Sequence, residues 1–102
     1  MPTLMTRTKV RPEAVEAVEA AGRRLFAALA RSRPAGVRCA SARLADNSTF
    51  VTVLRLDDGV ENPLPGMPEY RELQRVLGEA VVEPPVAGPA TVIGDYGLLA
   101  GR

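Results

Sequence analysis

The chain has 102 residues, is 46% hydrophobic and carries 13 basic against 12 acidic side chains, which is typical of one globular domain. So close a charge balance argues against a strong electrostatic hold on nucleic acid or on an anionic membrane. No apolar run approaches the ~20 residues of a membrane span. With a single cysteine, Cys39, and no apolar leader at the N-terminus, we expect a cytoplasmic protein.

Alternating side chains predict a first strand over residues 3–10. One face of that strand carries Leu4, Thr6, Thr8 and Val10. The other face carries Met5, Arg7 and Lys9. A helix then opens at Pro12, since proline is tolerated in a first turn. Apolar residues follow at three- and four-residue steps and form one stripe. The helix is predicted to end near Ser32, because Pro34 and Gly36 follow.

The middle of the chain predicts a β-hairpin. Strands over residues 37–44 and 49–56 are joined by a polar turn at 45–48. The second of these strands is the most apolar segment of the chain, so it is predicted to lie centrally in the sheet. The connection that follows, residues 57–67, is long enough to form a lid or a rim.

A second helix and a last strand complete the predicted order. The helix begins at Pro68 and is predicted to end at Pro84 and Pro85. The last strand is predicted over residues 90–99, interrupted by Gly94 and Gly97.

The element order, strand–helix–strand twice over, predicts an α+β, ferredoxin-like βαββαβ sandwich in a single domain spanning residues 1–102. Four antiparallel strands would form the sheet, with two helices on one face. The other face would be bare and would carry Met5, Val51 and Val53 beside Arg7 and Arg55. A partly apolar face of that size favours an interface, so we expect a homodimer that stacks these faces.

Two functional classes with this strand order lack their required residues here. RNA-recognition domains stack bases on aromatic side chains of the central strands, and the segment 49–56 offers a single aromatic and no glycine. Metal-chaperone domains need paired cysteines after the first strand, and none is present there. We therefore expect neither nucleic acid nor a metal ion as a partner.

With those two classes excluded, the sequence resembles the dimeric α+β barrel superfamily, and within it the antibiotic-biosynthesis monooxygenase-like group. The similar features are a first strand that runs through Arg7–Val10 into Arg11-Pro12-Glu13, a long amphipathic helix, a hairpin, a short second helix and a last strand closing on Gly94-Asp95-Tyr96. The resemblance covers almost the whole chain. It implies a homodimeric barrel in which each subunit binds a ligand between its own helices and sheet.

The resemblance also indicates which chemistry to expect. The haem-degrading branch relies on a histidine, a tryptophan and a first-strand asparagine; this chain has neither of the first two, and Thr6 stands at the asparagine position. The cofactor-independent monooxygenase branch oxidises phenolic or quinol-like substrates in an apolar cavity with polar groups. Its substrate supplies the electrons, so no cofactor is expected.

Five residues are candidates for ligand binding: Thr6, Thr8, Phe26, Asn62 and Tyr70. The threonine hydroxyls would orient a substrate oxygen, and the tyrosine phenol would donate a hydrogen bond to a ligand. Each also has a purely structural interpretation, because threonine suits strands and tyrosine packs with its hydroxyl at the rim of a core.

Three other features favour structural roles. The polar cluster Asp57, Asp58, Glu61 and Asn62 lacks the ligand spacing of a calcium loop and indicates a solvated turn. Asp95 is expected to pair with an arginine, and Cys39 to act as a small buried hydrophobe. Two functional hypotheses stay open: a cofactor-independent monooxygenase acting on a small aromatic molecule, or a non-catalytic binding or interaction module of the same superfamily.

Overall fold

A computed structural model, which describes residues 3–97, confirms the predicted strand–helix order. Short 3₁₀ turns precede both helices, at Pro12–Ala14 and Leu64–Gly66. The strands and helices are β1 (Thr3–Lys9), α1 (Val15–Ser32), β2 (Val37–Arg43), β3 (Thr49–Leu56), α2 (Pro68–Ala80) and β4 (Val86–Pro89).

The four strands form one antiparallel sheet in the order β2-β3-β1-β4. As predicted, β3 is central, and it pairs along its length with β1 on one side and β2 on the other. Both helices cover the same face of the sheet. This is the ferredoxin-like α+β arrangement that the sequence predicts.

Two apolar clusters fasten the helices to the sheet. The first contains the buried leucines Leu25, Leu54, Leu56 and Leu64. The second contains Val10, Val18 and Ala80. In α1 the buried residues Val18, Ala21, Leu25 and Ala28 recur at three- and four-residue steps, which is the spacing of one helix face.

The ends of both helices have local causes. Arg33 takes a left-handed conformation (φ 48°) and its N–H donates to the Leu29 carbonyl at 2.8 Å, which closes α1 just before Pro34. α2 ends at Ala80, earlier than the predicted stop at Pro84, because Val81 is extended and forms a bridge with Val10. Neither helix of the described chain combines the length and apolarity needed to cross a membrane.

The β2–β3 hairpin is fixed by Asp46. Its carboxylate accepts hydrogen bonds from the N–H groups of Ser48 and Thr49, both at 2.9 Å, and from the Thr49 hydroxyl at 2.5 Å. Asn47 lies in the left-handed region (φ 64°), which asparagine tolerates in tight turns. The turn therefore sets the register of the two strands that it joins.

The prediction of a last strand over residues 90–99 is wrong. The fourth strand is β4 (Val86–Pro89), and no strand is present between residues 90 and 97; residues 98 and 99 lie outside the described residues. Just beyond β4, the Ala90 N–H donates to the Thr3 carbonyl of β1 at 2.7 Å. Tyr96, predicted to lie on a strand, is fully exposed. A segment containing Gly88 and Pro89 is atypical of a strand, but proline is tolerated on a sheet edge.

We expect Leu56→Ala to lower the free energy of unfolding by about 2–5 kcal/mol, because it removes a buried side chain from the first cluster and leaves a void. Leu44→Ala is the matched control, since Leu44 is 40% exposed beside the hairpin turn and surface substitutions change stability by only about 0.5 kcal/mol. Urea denaturation measures both. An equal decrease in the free energy of unfolding in the two variants would contradict this description of the core.

The Asp46 turn predicts a specific pH dependence. Hydrogen bonds from the Thr49 hydroxyl and the Ser48 N–H lower the pKa of Asp46 from 3.8 to about 2. Because the folded-state pKa lies below the unfolded one, the ionised carboxylate stabilises the fold above pH 3.8, and that contribution is lost as the pH falls through about 2.

We therefore expect Asp46→Asn to lower the Tm at neutral pH and to reduce the fall in Tm between roughly pH 5 and 2. Glu83→Gln, a change at an exposed carboxylate beyond α2, is the control and should follow the parent curve. Thermal unfolding by circular dichroism gives the profiles. Parallel profiles for Asp46→Asn and the parent protein would show that the turn carboxylate makes no such contribution.

Candidate functional site

A cavity of about 370 Å³ lies between the sheet and the two helices. That volume falls within the roughly 300–1,000 Å³ usual for small-molecule sites. Most of its lining is apolar, as such sites require. The principal apolar residues are Leu4, Val18, Leu25, Phe26, Phe50, Leu54, Leu64, Leu73 and Leu77.

The floor of the cavity is the helix-facing side of three strands. Because the strands are in register, their side chains form three rows that run across the sheet from β1 through β3 to β2. The rows are Leu4, Leu54 and Cys39; Thr6, Thr52 and Ser41; and Thr8, Phe50 and Arg43. The middle row, which we call the hydroxyl row, places three alcohols side by side under the cavity.

The hydroxyl row can donate a hydrogen bond to a ligand. The Ser41 and Thr52 hydroxyl oxygens are 2.7 Å apart, so one donates to the other. The hydroxyl that accepts keeps its own proton for a further partner, since each alcohol is both donor and acceptor. A ligand oxygen above this row would therefore meet at least one O–H donor.

The walls and roof come from the helices and the long loop. Phe26 of α1 and Tyr70 of α2 are both half-buried and line the cavity. Asn62 lines it from the loop, and its Oδ1 accepts a hydrogen bond from the Leu64 N–H at 3.0 Å. That bond leaves the Asn62 side-chain NH₂ as the group that can donate to a ligand. Leu64 itself is buried in the first cluster, which anchors the loop.

One edge of the cavity is charged. Glu19 of α1 contacts Arg23 on the same helix at 3.3 Å and also forms an ion pair with Arg43 of β2. We call these three residues the charged rim. The Glu19–Arg43 pair joins the helix layer to the sheet at the cavity edge. With two guanidinium groups and one carboxylate, the charged rim has a net positive charge.

The cavity thiol belongs to Cys39, which is half-buried. Burial raises the pKa of this thiol above its ordinary value, so it stays protonated near neutral pH. A protonated thiol is a poor nucleophile. Cys39 therefore serves as part of the apolar floor.

The comparisons with known proteins show similarity in structure rather than in sequence. No protein-family model matches the sequence, and no curated protein matches it. Solved structures do match. Rv0793 from Mycobacterium tuberculosis is 22% identical, with a TM-score of 0.68 over 94% of this chain and 98% of that one.

Two further structures carry the same fold. An antibiotic biosynthesis monooxygenase is 13% identical, with a TM-score of 0.71 over 92% of this chain and 100% of the other. SnoaB from Streptomyces nogalater, a cofactor-independent oxygenase, is 20% identical, with a TM-score of 0.62 over 94% and 96%. This chain has the antibiotic biosynthesis monooxygenase-like fold. The resemblance inferred from the sequence is confirmed at the level of the fold.

All five candidates predicted from the sequence lie around one cavity. Thr6 and Thr8 are on the floor, Phe26 and Tyr70 on the helices, and Asn62 on the loop. Their contact with a ligand stays a prediction. Sequence reasoning missed Ser41 and Thr52, which lie beside Thr6 across the sheet, and it missed the charged rim. The hairpin turn would have revealed the first two, because it fixes which residues of β2 and β3 are opposite each other.

In the acidic part of the long loop, Asp57 has a structural role. Asp57 pairs with Arg38 of β2 at 3.1 Å and so ties the loop to the sheet. Across residues 3–97, no three carboxylate, thiol or imidazole side chains come together in a way that could hold a metal ion.

Proposed function

We propose that this protein binds a small aromatic molecule bearing a hydroxyl group in the cavity between helices and sheet, and that it oxidises such a phenol with O₂ as a cofactor-independent monooxygenase. One observation carries the proposal: a largely apolar cavity of about 370 Å³ contains the hydroxyl row on its floor. An apolar wall takes the ring, and a few placed polar groups take its oxygen.

The hydroxyl row is suited to a phenolate. An ionised phenol reacts with oxygen more readily than a neutral one, because it gives up electrons more easily. Donors from Thr52 and its neighbours would stabilise the negative oxygen, and the apolar surroundings strengthen such hydrogen bonds. The NH₂ group of Asn62 offers a further donor from the loop.

The reaction balances without any other reagent. A phenol and O₂ give a quinone and water. One oxygen atom of O₂ becomes the second ring carbonyl, the other leaves in the water, and the two hydrogens of that water come from the ring C–H and the hydroxyl. All the electrons come from the substrate.

A non-catalytic binding protein is the second candidate, and the charged rim favours it. Glu19 is the carboxylate that lines the cavity in the described chain, and both its oxygens already contact arginines. A carboxylate engaged in this way is poorly placed to remove a proton from a ligand. Under this alternative the cavity holds its ligand without oxidising it.

Thr52→Val tests the role of the hydroxyl row. We expect it to weaken binding of 2-naphthol by about two- to tenfold, the worth of one hydrogen bond, while naphthalene, which has no hydroxyl, binds both proteins equally. Thr91→Val, a change of the same chemistry at an exposed position outside the cavity, is the control. Fluorescence titration measures all these affinities. Loss of naphthalene binding in Thr52→Val would mean that shape, not the hydroxyl, had changed.

Oxygen uptake in the presence of bound naphthol separates the two candidate functions. A monooxygenase should consume one O₂ for each quinone formed and place labelled oxygen from ¹⁸O₂ in the product. Binding without uptake would support the non-catalytic alternative. A parent protein that binds neither naphthol nor naphthalene would overturn the proposed function in both forms.

We also propose that two copies associate through the sheet face that the helices leave open. The register places an apolar row across the middle of that face: Met5, Val53 and Ala40. Met5 is 41% exposed and Val86, on the edge strand, is 67% exposed. Apolar side chains grouped on one open face are typical of a self-association surface, and a two-fold axis would cover both copies at once.

Met5→Glu should convert the dimer to a folded monomer at micromolar concentration, because it introduces a charge into the apolar row at a site that is already partly exposed in the single chain. Ala27→Glu, on the exposed side of α1, should leave the dimer intact. Sedimentation velocity reports the mass of each species. A monomeric parent protein would contradict the association.

A further inference from the structure

Gly22 is an unusual choice for its position. It lies in the interior of α1 (Val15–Ser32) and lines the cavity. Glycine destabilises the interior of a helix relative to alanine, because it loses more backbone freedom on folding. A glycine at such a place therefore needs a reason.

Packing within the chain does not supply that reason. Apart from its chain neighbours and its own helix backbone, no heavy atom lies within 4 Å of the point where a Gly22 side chain would begin. Gly36 shows the contrast: it has a φ of +75°, and an added carbon would approach Val60 to 2.7 Å. The small residues Ala21 and Ala28 of α1 are also explained, since both are buried.

Gly22 lies on the side of α1 that lines the cavity. On the same helix, Glu19 precedes it by three residues and Phe26 follows it by four, and all three line the cavity. Residues at these spacings lie on one helix face. Gly22 is thus a gap in the α1 wall between the charged rim and an aromatic side chain.

We infer that Gly22 sets the upper size of the ligand by leaving room for an additional fused ring against the backbone of α1. This inference rests on the proposed binding of hydroxylated aromatic molecules in the cavity. A planar ring system fits such a gap, because it can lie flat against a helix that presents no side chain. Two- and three-ring phenols are then the ligand class, and a side chain at residue 22 would restrict the cavity to smaller ones.

The test compares Gly22→Leu with Gly78→Leu. Gly78 is the matched control because it is also helical, also has open space around it, and does not line the cavity. The probes are phenol, 2-naphthol and 9-phenanthrol, which carry one hydroxyl on one, two and three rings. Affinities come from fluorescence titration, and Tm values from thermal unfolding.

Gly22→Leu should bind phenol as the parent does but bind 9-phenanthrol about tenfold more weakly or worse, the effect expected when a hydrophobic pocket loses space. Its Tm should equal or exceed that of the parent, and Gly78→Leu should bind all three probes normally. Unchanged 9-phenanthrol binding by Gly22→Leu, or a lower Tm, would overturn the inference while leaving the proposed function intact. A parent protein that binds none of the probes would overturn the proposed function, and with it this inference.

Discussion

The pairing of β3 with both of its neighbours is the interaction on which the rest of the structure depends. Its register aligns Thr52 with Thr6 on one side and with Ser41 on the other. A shift of one residue in either pairing would turn every side chain of a strand to the opposite face. The hydroxyl row, the apolar row of the open face and the apolar cavity floor all follow from this single register. The Asp46 turn holds one half of it in place.

The cavity exists because the two apolar clusters attach the helices to the sheet beside it and do not fill the space between helices and sheet. Leu25, Leu54 and Leu64 border it from the first cluster, and Val18 borders it from the second. Each cluster brings side chains from the helices into contact with the sheet, and the space between them is bridged at its edge by the Glu19–Arg43 pair. The chain thus keeps enough buried apolar surface to fold while leaving an interior volume unfilled.

Local sequence signals predicted most of the fold but only part of the site. Alternation located β1, helical spacing located both helices, and a strongly apolar run after a polar turn located β3. The position of β4 was not predicted, because a short edge strand containing Gly88 and Pro89 is recognised only through its pairing with β1. Thr6 was found because a polar residue interrupts an otherwise apolar strand face, and Tyr70 because its phenol can donate a hydrogen bond to a ligand. Ser41 and Arg43 lie on β2, where small and polar residues alternate with one another and no apolar face marks the side that meets the helices.

Three departures from a well-packed core meet at the same place, and their coincidence is the strongest physical argument for a ligand. Hydroxyl groups lie on the helix-facing side of the sheet, a glycine lies in the interior of a helix without any packing need, and a volume of about 370 Å³ is left between them. A glycine inside a helix and an unfilled volume both reduce stability, and there is open space for a side chain at Gly22. Proteins tolerate such local losses mainly where function requires them. Because the three departures surround one space, a molecule that occupies that space accounts for all of them together.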